Sequence, residues 1–249
     1  MDLNKIIKSP YNTRPQMSRN VESVFNNNPD PLYIANKKHQ LAMFGSDLYG
    51  ETAEAVSGKL VRRVSTYLGK PVTDDIVDLA LNFEEDVAIL YKGVLSAICF
   101  CFPSSWIPIK GVGKTLRELH HPVADGEHLQ SASDKITKTI SDPVLGSFRR
   151  YVWTVTKVPA LSNYYEIVDY FKDEELNLNT LYFRAEIQTT LPLPDGNTSV
   201  FFVKVHVLPL WQVWTGYKDM LLTSINSMSD TVLEYKNLVE IKQYLNSCK

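Results

Sequence analysis

The spacing of apolar residues changes several times along the first half of the chain, and each change predicts a different element. From about residue 31 to residue 68, apolar residues recur at intervals of three and four, as on one face of a helix. Residues 73–93 predict a helix that begins near Thr73–Asp75, followed by a short strand that ends in Tyr-Lys-Gly. The run VLSAICFCFP, residues 94–103, is continuously apolar and predicts a buried strand.

The second half predicts one more helix, a group of strands and a helical C-terminus. Residues 125–143 have helical spacing, with Asp125 expected as the N-cap and Pro143 beyond the helix end. The segments RRYVWTVTKV, LYFRAEIQTTLPLP and SVFFVKVHVLPL alternate in polarity and are rich in β-branched and aromatic residues, as in antiparallel strands. We therefore predict an α+β fold in which one main antiparallel sheet is flanked by helices. Residues 34–249 form this single domain, and residues 1–33, which lack periodicity, form an extended N-terminal arm.

Residues 194–196 (Pro-Asp-Gly) predict a hairpin between the last two strands. A three-residue loop pairs Leu193 with Asn197 and places Glu186 opposite Lys204. One face of the hairpin then carries the polar side chains of Arg184, Glu186, Gln188, Lys204 and His206. A one-residue slip would set the first three against valines instead. Both a solvated face with ion pairs and a functional face remain open at this point.

Composition excludes several classes of partner. The 249 residues are 44% hydrophobic and 22% charged, with a net charge of −2, which is ordinary for a soluble globular protein. The charges are interspersed, so no basic stripe indicates nucleic acid and no polybasic cluster indicates a membrane surface. No segment approaches the roughly 20 apolar residues of a membrane span, and the N-terminus lacks a signal-peptide pattern. We expect a cytoplasmic protein.

The stretch KGVGKTLRELHHPVADGEH, residues 110–128, contains two candidate sites. A phosphate-binding loop requires a glycine five positions before Gly113, but Pro108 stands there, and proline lacks the N–H that such a loop needs. A zinc site is weakly supported, because the adjacent His120 and His121 diverge in any regular structure. Zinc at the thiols of Cys99 and Cys101 likewise lacks a second cysteine pair. A single histidine used as an axial ligand to haem iron needs no such cluster, although a loop histidine is most often a surface residue.

Five motifs in one order carry a family resemblance. They are CFPSSW (residues 101–106), KGVGKTL (110–116), LHHPV (119–123), RYVW (150–153) and RAEIQT (184–189), the last followed by Leu-Pro. Glu85-Asp86 matches a further acidic pair upstream. The chain resembles the α-subunit of haem-dependent oxidative N-demethylase and its relatives over about residues 80–210.

The resemblance implies a fold and an activity. The fold is PAS-like and holds haem b between the sheet and a helical layer. The activity is the oxidative removal of a methyl group from a small secondary amine with O₂, using electrons from flavin and iron–sulfur partners. A haem-based gas or redox sensor and a non-catalytic PAS-like module are the alternatives.

The resemblance also assigns residues by position. His120 falls where the family has the histidine expected to bind the iron. Arg184 is expected to donate to O₂, Glu186 to bind the protonated amine and Gln188 to orient it. Lys114 and either Arg149 or Arg150 are expected at the haem propionates. Trp106 and Trp153 are expected as apolar walls, with a plain core role as the alternative for both.

Two positions depart from the family pattern. Val152 stands where the family has asparagine, and Ile187 where arginine is common. Each replacement removes a polar group that is expected near the cofactor, with consequences for the substrate or for turnover.

Overall fold

A seven-stranded antiparallel sheet forms the centre of the protein in a computed structural model that describes residues 2–248. Its strands are β1 (Ser18–Arg19), β2 (Tyr49–Glu51), β3 (Asp86–Tyr91), β4 (Val94–Cys99), β5 (Phe148–Thr156), β6 (Tyr182–Pro192) and β7 (Thr198–Pro209). They lie in the order β1-β5-β6-β7-β3-β4-β2. The predicted α+β class with one main antiparallel sheet is confirmed.

Helices surround the sheet. They are α1 (Leu3–Ile6), α2 (Pro31–Phe44), α3 (Ala53–Ser57), α4 (Leu60–Tyr67), α5 (Ile76–Ala80), α6 (Leu116–Leu119), α7 (Glu127–Ser141), α8 (Tyr165–Phe171), α9 (Leu210–Asn226), α10 (Asp230–Tyr235) and α11 (Val239–Ser247). Within residues 2–248, none of them combines the length and apolar composition needed to cross a membrane.

Several predicted boundaries agree with the structure and others do not. The Asp75 carboxylate caps α5 by accepting from the backbone N–H of Val77 and Asp78, so the expected helix start is confirmed. The expected N-cap of α7 is wrong: Gly126 occupies that position. The carboxylate of Asp125 instead accepts hydrogen bonds from the hydroxyls of Ser229 and Thr231 at the start of α10.

The helical pattern predicted over residues 31–68 is interrupted. Gly45, with φ of +53°, ends α2, and β2 follows as an edge strand that pairs with β4. Lys59, with φ of +49°, separates α3 from α4. Backbone with positive φ breaks a helix even where the apolar spacing continues.

The N-terminal segment, expected as an extended arm, contains α1 and β1. Leu3, Ile6 and Ile7 are buried against β5, β6 and the C-terminal helices. Phe25 packs on Phe83, with ring centroids 4.8 Å apart, whereas Val21 is exposed. The segment is therefore anchored to the domain by apolar contacts at several points.

The predicted register of the β6–β7 hairpin is wrong by one residue. Glu186 lies opposite Val205, and Arg184 lies opposite Val207 rather than His206. The loop has four residues, because the Asp195 carboxylate accepts hydrogen bonds from the backbone N–H of both Asn197 and Thr198 and so draws Asn197 into the turn. Lys204 and His206 consequently face the other side of the sheet, where Lys204 pairs with Glu84.

Candidate functional site

A cavity of about 1130 Å³ lies between the sheet and the segment that contains α6 and α7. Its volume exceeds the ~300–1,000 Å³ of ordinary small-molecule sites, so it has room for a large cofactor beside a small molecule. Residues 11–17 of the N-terminal segment also border it. The residues proposed from the sequence all border this one cavity: Lys114, His120, Trp106, Arg150, Trp153, Arg184, Glu186 and Gln188.

Arg184, Glu186 and Gln188 lie two residues apart on β6, so their side chains share one face. Oε1 of Glu186 accepts from Arg184 Nη1 at 2.7 Å and from Ser104 Oγ, and Oε2 accepts from Gln188 Nε2 at 2.7 Å. Burial alone would raise the pKa of Glu186, but the charge of Arg184 and these hydrogen bonds outweigh it and hold the pKa below its usual value. The carboxylate is therefore ionised, and Oε2 retains capacity for another donor.

The guanidinium of Arg184 is almost fully enclosed, with 2% of the residue exposed. Besides Glu186, it donates to Ser104 Oγ at 2.7 Å, to the Phe102 carbonyl at 2.8 Å and to the Leu161 carbonyl at 3.3 Å. Each nitrogen thus has a protein acceptor. Arg184 is a rigid clamp that holds Glu186 in place.

Hydrogen bonds on two sides hold the loop that carries Ser104. The Asp86 carboxylate accepts from the backbone N–H of Cys101 at 2.9 Å and of Phe102 at 2.8 Å. On the other side of the loop, the backbone N–H of Ser105 donates to the Asn163 carbonyl at 2.8 Å. A chain of polar contacts therefore runs from Asp86 through this loop to Arg184 and Glu186.

Arg149 and Arg150 have opposite environments because neighbouring residues of a strand face opposite sides. Arg149 forms an ion pair with Glu22 and donates to the Ser23 carbonyl at 2.9 Å. Arg150 is the cross-strand partner of Gln188 and so faces the cavity. Its Nε is buried without a hydrogen-bond partner, and burial lowers the pKa of its guanidinium. Of the two arginines considered for an anion, Arg150 is the one left unpaired within residues 2–248.

His120 is the C-cap residue of α6, a one-turn helix fixed by a capping box between Thr115 and Glu118. Its Nδ1 lies 2.7 Å from the Leu116 carbonyl. A carbonyl can only accept, so Nδ1 carries the proton and Nε2 keeps its lone pair. Burial lowers the pKa of His120, which also favours the neutral imidazole. This is the protonation state that a metal-ligating histidine requires.

The remaining predicted residues differ in how close they lie to the polar side chains of Arg184, Glu186 and Gln188. Lys114 is exposed at the cavity edge. Trp106 packs edge-to-face on Phe100, with centroids 5.9 Å apart, on the cavity wall. Trp153 pairs with Ala185 on the opposite face of β5 and β6 from Glu186, and its ring stacks on Phe183 at 5.6 Å. The structure therefore does not bring the Trp153 ring together with the polar row.

No group of three or more His, Cys, Asp or Glu side chains that could hold a metal ion exists in residues 2–248. His121 and His128 are exposed. The sulfurs of Cys99 and Cys101 lie 4.0 Å apart in the core, and hydrogen bonding to Cys99 together with burial strongly raises the pKa of the Cys101 thiol. Buried protonated thiols are inert packing groups. An iron at His120 would thus need its other ligands from a macrocycle.

Three residues of the site were not identified from the sequence. Ser104 lies within the CFPSSW motif, but its contact with Glu186 depends on how the loop folds. Lys236 follows α10, far along the chain, and its Nζ donates to the Trp153 carbonyl at 3.0 Å. Tyr11 lies in the N-terminal segment and borders the cavity. Motif spacing could have indicated Ser104, whereas the other two come from segments without a local signal.

Comparison with known families finds a match to most of the chain. A family described as "Haem-dependent oxidative N-demethylase, alpha subunit-like" matches residues 42–246. No curated protein is significantly similar to the chain. The matched range includes β2–β7 and all the residues proposed from the sequence, whereas residues 11–17 of the cavity wall precede it.

Proposed function

The chain belongs to the haem-dependent oxidative N-demethylase, alpha subunit-like family, and we propose on this basis that it binds haem b in the cavity and oxidises a small methylated amine with O₂. The observation that carries the proposal is the convergence of His120, Arg150 and Glu186 on one large cavity. The alternative is a haem-based sensor or a non-catalytic haem-binding module, which would bind the same cofactor without oxidising a substrate.

The residues present fit a haem. His120 has a free Nε2 because Nδ1 is bound to the Leu116 carbonyl, so it would bind the iron. Apolar side chains of α7, together with Phe100 and Trp106, would cover the macrocycle. Arg150, whose Nε is buried without a partner, and Lys114, at the edge, would bind the propionates.

Bound haem supplies the one-electron and O₂ chemistry that amino-acid side chains lack. The contribution of Glu186 is to bind the protonated amine through Oε2, the oxygen with unused acceptor capacity. Arg184, Ser104 and Gln188 keep that carboxylate ionised and fixed, so the substrate nitrogen has one preferred position. In this arrangement Arg184 acts as a positioning residue for Glu186, a different role from the O₂ donor implied by the resemblance.

The two departures from the family pattern fall on different faces of the sheet. Val152 is the cross-strand partner of Glu186 and borders the cavity, so its apolar side chain lies beside the proposed amine site. Ile187 pairs with Tyr151 and Lys204 on the opposite face. We propose that Val152 shapes the substrate site, whereas Ile187 makes no direct contact with it.

The PAS-like character of the sheet, the cytoplasmic location and the flavin and iron–sulfur electron donors are part of the same proposal. The net reaction requires two electrons and two protons: R₂N–CH₃ and O₂ give R₂NH, formaldehyde and water. A reductase partner is the expected source of the electrons.

The test is to purify the full chain after expression with haem supply, and to record the absorption spectrum of the oxidised, reduced and carbon-monoxide forms. Reduced protein is then given O₂, an excess of a chemical reductant and a panel of methylated amines, and formaldehyde is measured. We expect a haem spectrum and amine-dependent formaldehyde release that Glu186→Gln reduces strongly. Haem binding without formaldehyde release from any amine would contradict the demethylase function and favour the sensor.

A further inference from the structure

Arg150, which the proposed function places at a haem propionate, meets two side chains without a proposed role on one side of the cavity. Arg150 extends from β5, Lys236 follows α10, and Tyr11 comes from the N-terminal segment. The Lys236 ammonium lies over the Tyr11 ring, 5.6 Å from its centroid. Three separate parts of the chain thus place two cations and a phenol at the same wall.

Both cations are short of counter-charge. Arg150 makes no side-chain hydrogen bond or ion pair within residues 2–248, and Lys236 donates to one neutral carbonyl. Burial lowers the pKa of Lys236 to about 8, with Arg150 and Arg184 adding repulsion against the opposing effect of Glu186. Glu186 is the one carboxylate that acts on both cations, and it is already paired with Arg184.

Buried charges in folded proteins are normally paired, because an uncompensated ion loses its hydration without a substitute. Arg150 and Lys236 are partly buried, and the other acidic residues that border the cavity, Glu118, Asp169 and Glu240, are exposed and form no ion pair with either of them within residues 2–248. The wall with the two cations therefore lacks an anion. Lys236 has two further N–H donors, the guanidinium of Arg150 has planar paired donors, and the Tyr11 hydroxyl is a neutral donor because burial raises its pKa to about 12. Planar paired donors favour a carboxylate.

We propose that Arg150, Lys236 and Tyr11 form a carboxylate-binding subsite in the cavity. The subsite extends the proposed function, on which it rests for the identity of the ligand. The carboxylate comes either from a haem propionate or from the amine substrate itself, an N-methylated amino acid whose ammonium group binds at Glu186.

The first arm of the test uses the full chain without haem, titrated calorimetrically with acetate and with N-methylglycine. We expect Arg150→Met and Lys236→Met each to weaken binding about tenfold or more, the loss typical of a charge-assisted hydrogen bond. Lys135→Met is the matched control, because Lys135 is exposed on α7 and does not border the cavity. A loss confined to the two cavity variants identifies a small carboxylate as a ligand.

The second arm compares haem with its dimethyl ester, in which the propionates are uncharged. If the propionate is the ligand, wild-type protein prefers haem about tenfold or more, and Arg150→Met and Lys236→Met lose that preference. Binding of N-methylglycine that is tighter than that of acetate and is weakened by Glu186→Gln indicates the substrate instead.

The inference is overturned if neither the small carboxylates nor the propionates bind in a way that depends on Arg150 and Lys236. This outcome differs from failure of the proposed function. If the protein binds N-methylglycine through these cations but takes up no haem, the haem assignment is refuted and the subsite is kept. If it binds haem and its dimethyl ester equally and binds no small carboxylate, the haem assignment is kept and the subsite is refuted.

Discussion

Lys37 is a fully buried cation and Arg150 a partly buried one, and their surroundings distinguish the core of the protein from its cavity. The Lys37 ammonium donates to the carbonyls of Ala80, Phe83 and Glu85 at 2.8, 3.1 and 2.7 Å and lies 3.8 Å from Asp86 Oδ1. Arg150 has no such partner within residues 2–248. A cation whose donors are all used stabilises the fold, and a cation left without an acceptor is available to a ligand.

The two cations are nevertheless connected. Asp86, the partner of Lys37, binds the loop that positions Ser104 and Arg184, and these hold Glu186 on the same sheet face as Arg150. The Lys37–Asp86 pair thus helps to fix Glu186 on one side of the cavity, while Arg150 on the other side has no counter-ion.

Lys37→Met is expected to cause the largest loss of stability. It removes the ammonium donor from three carbonyls, of which that of Ala80 keeps a hydrogen bond from the Phe83 N–H, and it leaves Asp86 without its cation. Removing one partner of a buried pair costs about 3–5 kcal/mol. The free energy of unfolding, measured by urea denaturation, should fall by that amount. Lys38→Met, at an exposed neighbouring position, is the control and should stay within about 0.5 kcal/mol of wild type. A similar small effect for both variants would refute the contrast with Arg150.

Glu186→Gln should have a smaller and pH-dependent effect. Arg184 loses its counter-ion but keeps neutral acceptors, so we expect a loss of about 2 kcal/mol near neutral pH. The pKa of Glu186 is lower in the folded chain than in the unfolded one. Its stabilisation is therefore complete above the unfolded value of about 4.3 and is lost as the pH falls through the folded value.

The measurement for Glu186 is urea denaturation of wild type and variant from neutral pH down to acid. The gap between the two should close at the acid end. A gap that stays constant over the whole range would show that folding does not change the pKa of Glu186, and a gap that widens toward acid pH would show that folding raises it.

Carboxylate binding near pH 8 should be accompanied by proton uptake. The pKa of Lys236 is about 8 because of burial, with Arg150 and Arg184 repelling and Glu186 attracting its charge. A bound carboxylate raises this pKa, so a fraction of a proton enters with the ligand. Calorimetry of acetate binding in two buffers of different ionisation enthalpy measures the uptake. Equal uptake by Lys236→Met would assign the proton to another group.

Arg150→Met should change stability least, although it removes a partly buried charge. The substitution abolishes an uncompensated ion and keeps most of the apolar stem, so the free energy of unfolding should be unchanged or slightly higher. The urea midpoint is the measurement. A loss as large as that of Lys37→Met would mean that Arg150 has partners in the folded protein and is not available to a ligand.

The sequence predicted much of the sheet because the evidence for strands is local. Alternating polarity identified β5, β6 and β7, and continuous apolarity identified β4. The two-residue β1 and the three-residue β2 are too short to show a period. The register of β6 and β7 was missed because it depends on which backbone groups the Asp195 carboxylate binds, a detail that the Pro-Asp-Gly signal alone does not determine.

The sequence predicted several residues of the candidate site but not the contacts between them. Motif order led to His120, Arg150 and Glu186, which all border one cavity. The pairing of Glu186 with Ser104 and the position of Lys236 against β5 arise from tertiary contacts between distant segments. Strand alternation also shows that Trp153 faces away from the polar row, a consequence that the motif itself does not reveal.

The most direct test of the haem assignment compares His120→Ala with His121→Ala in haem-reconstituted protein. Nδ1 of His120 is bound to a carbonyl and its Nε2 is free, whereas His121 is exposed. The absorption spectrum of ferrous and carbon-monoxide forms should lose the histidine-ligated signature in His120→Ala, regain it on adding imidazole, and stay unchanged in His121→Ala. A His120→Ala spectrum identical to that of wild type would contradict His120 as the iron ligand.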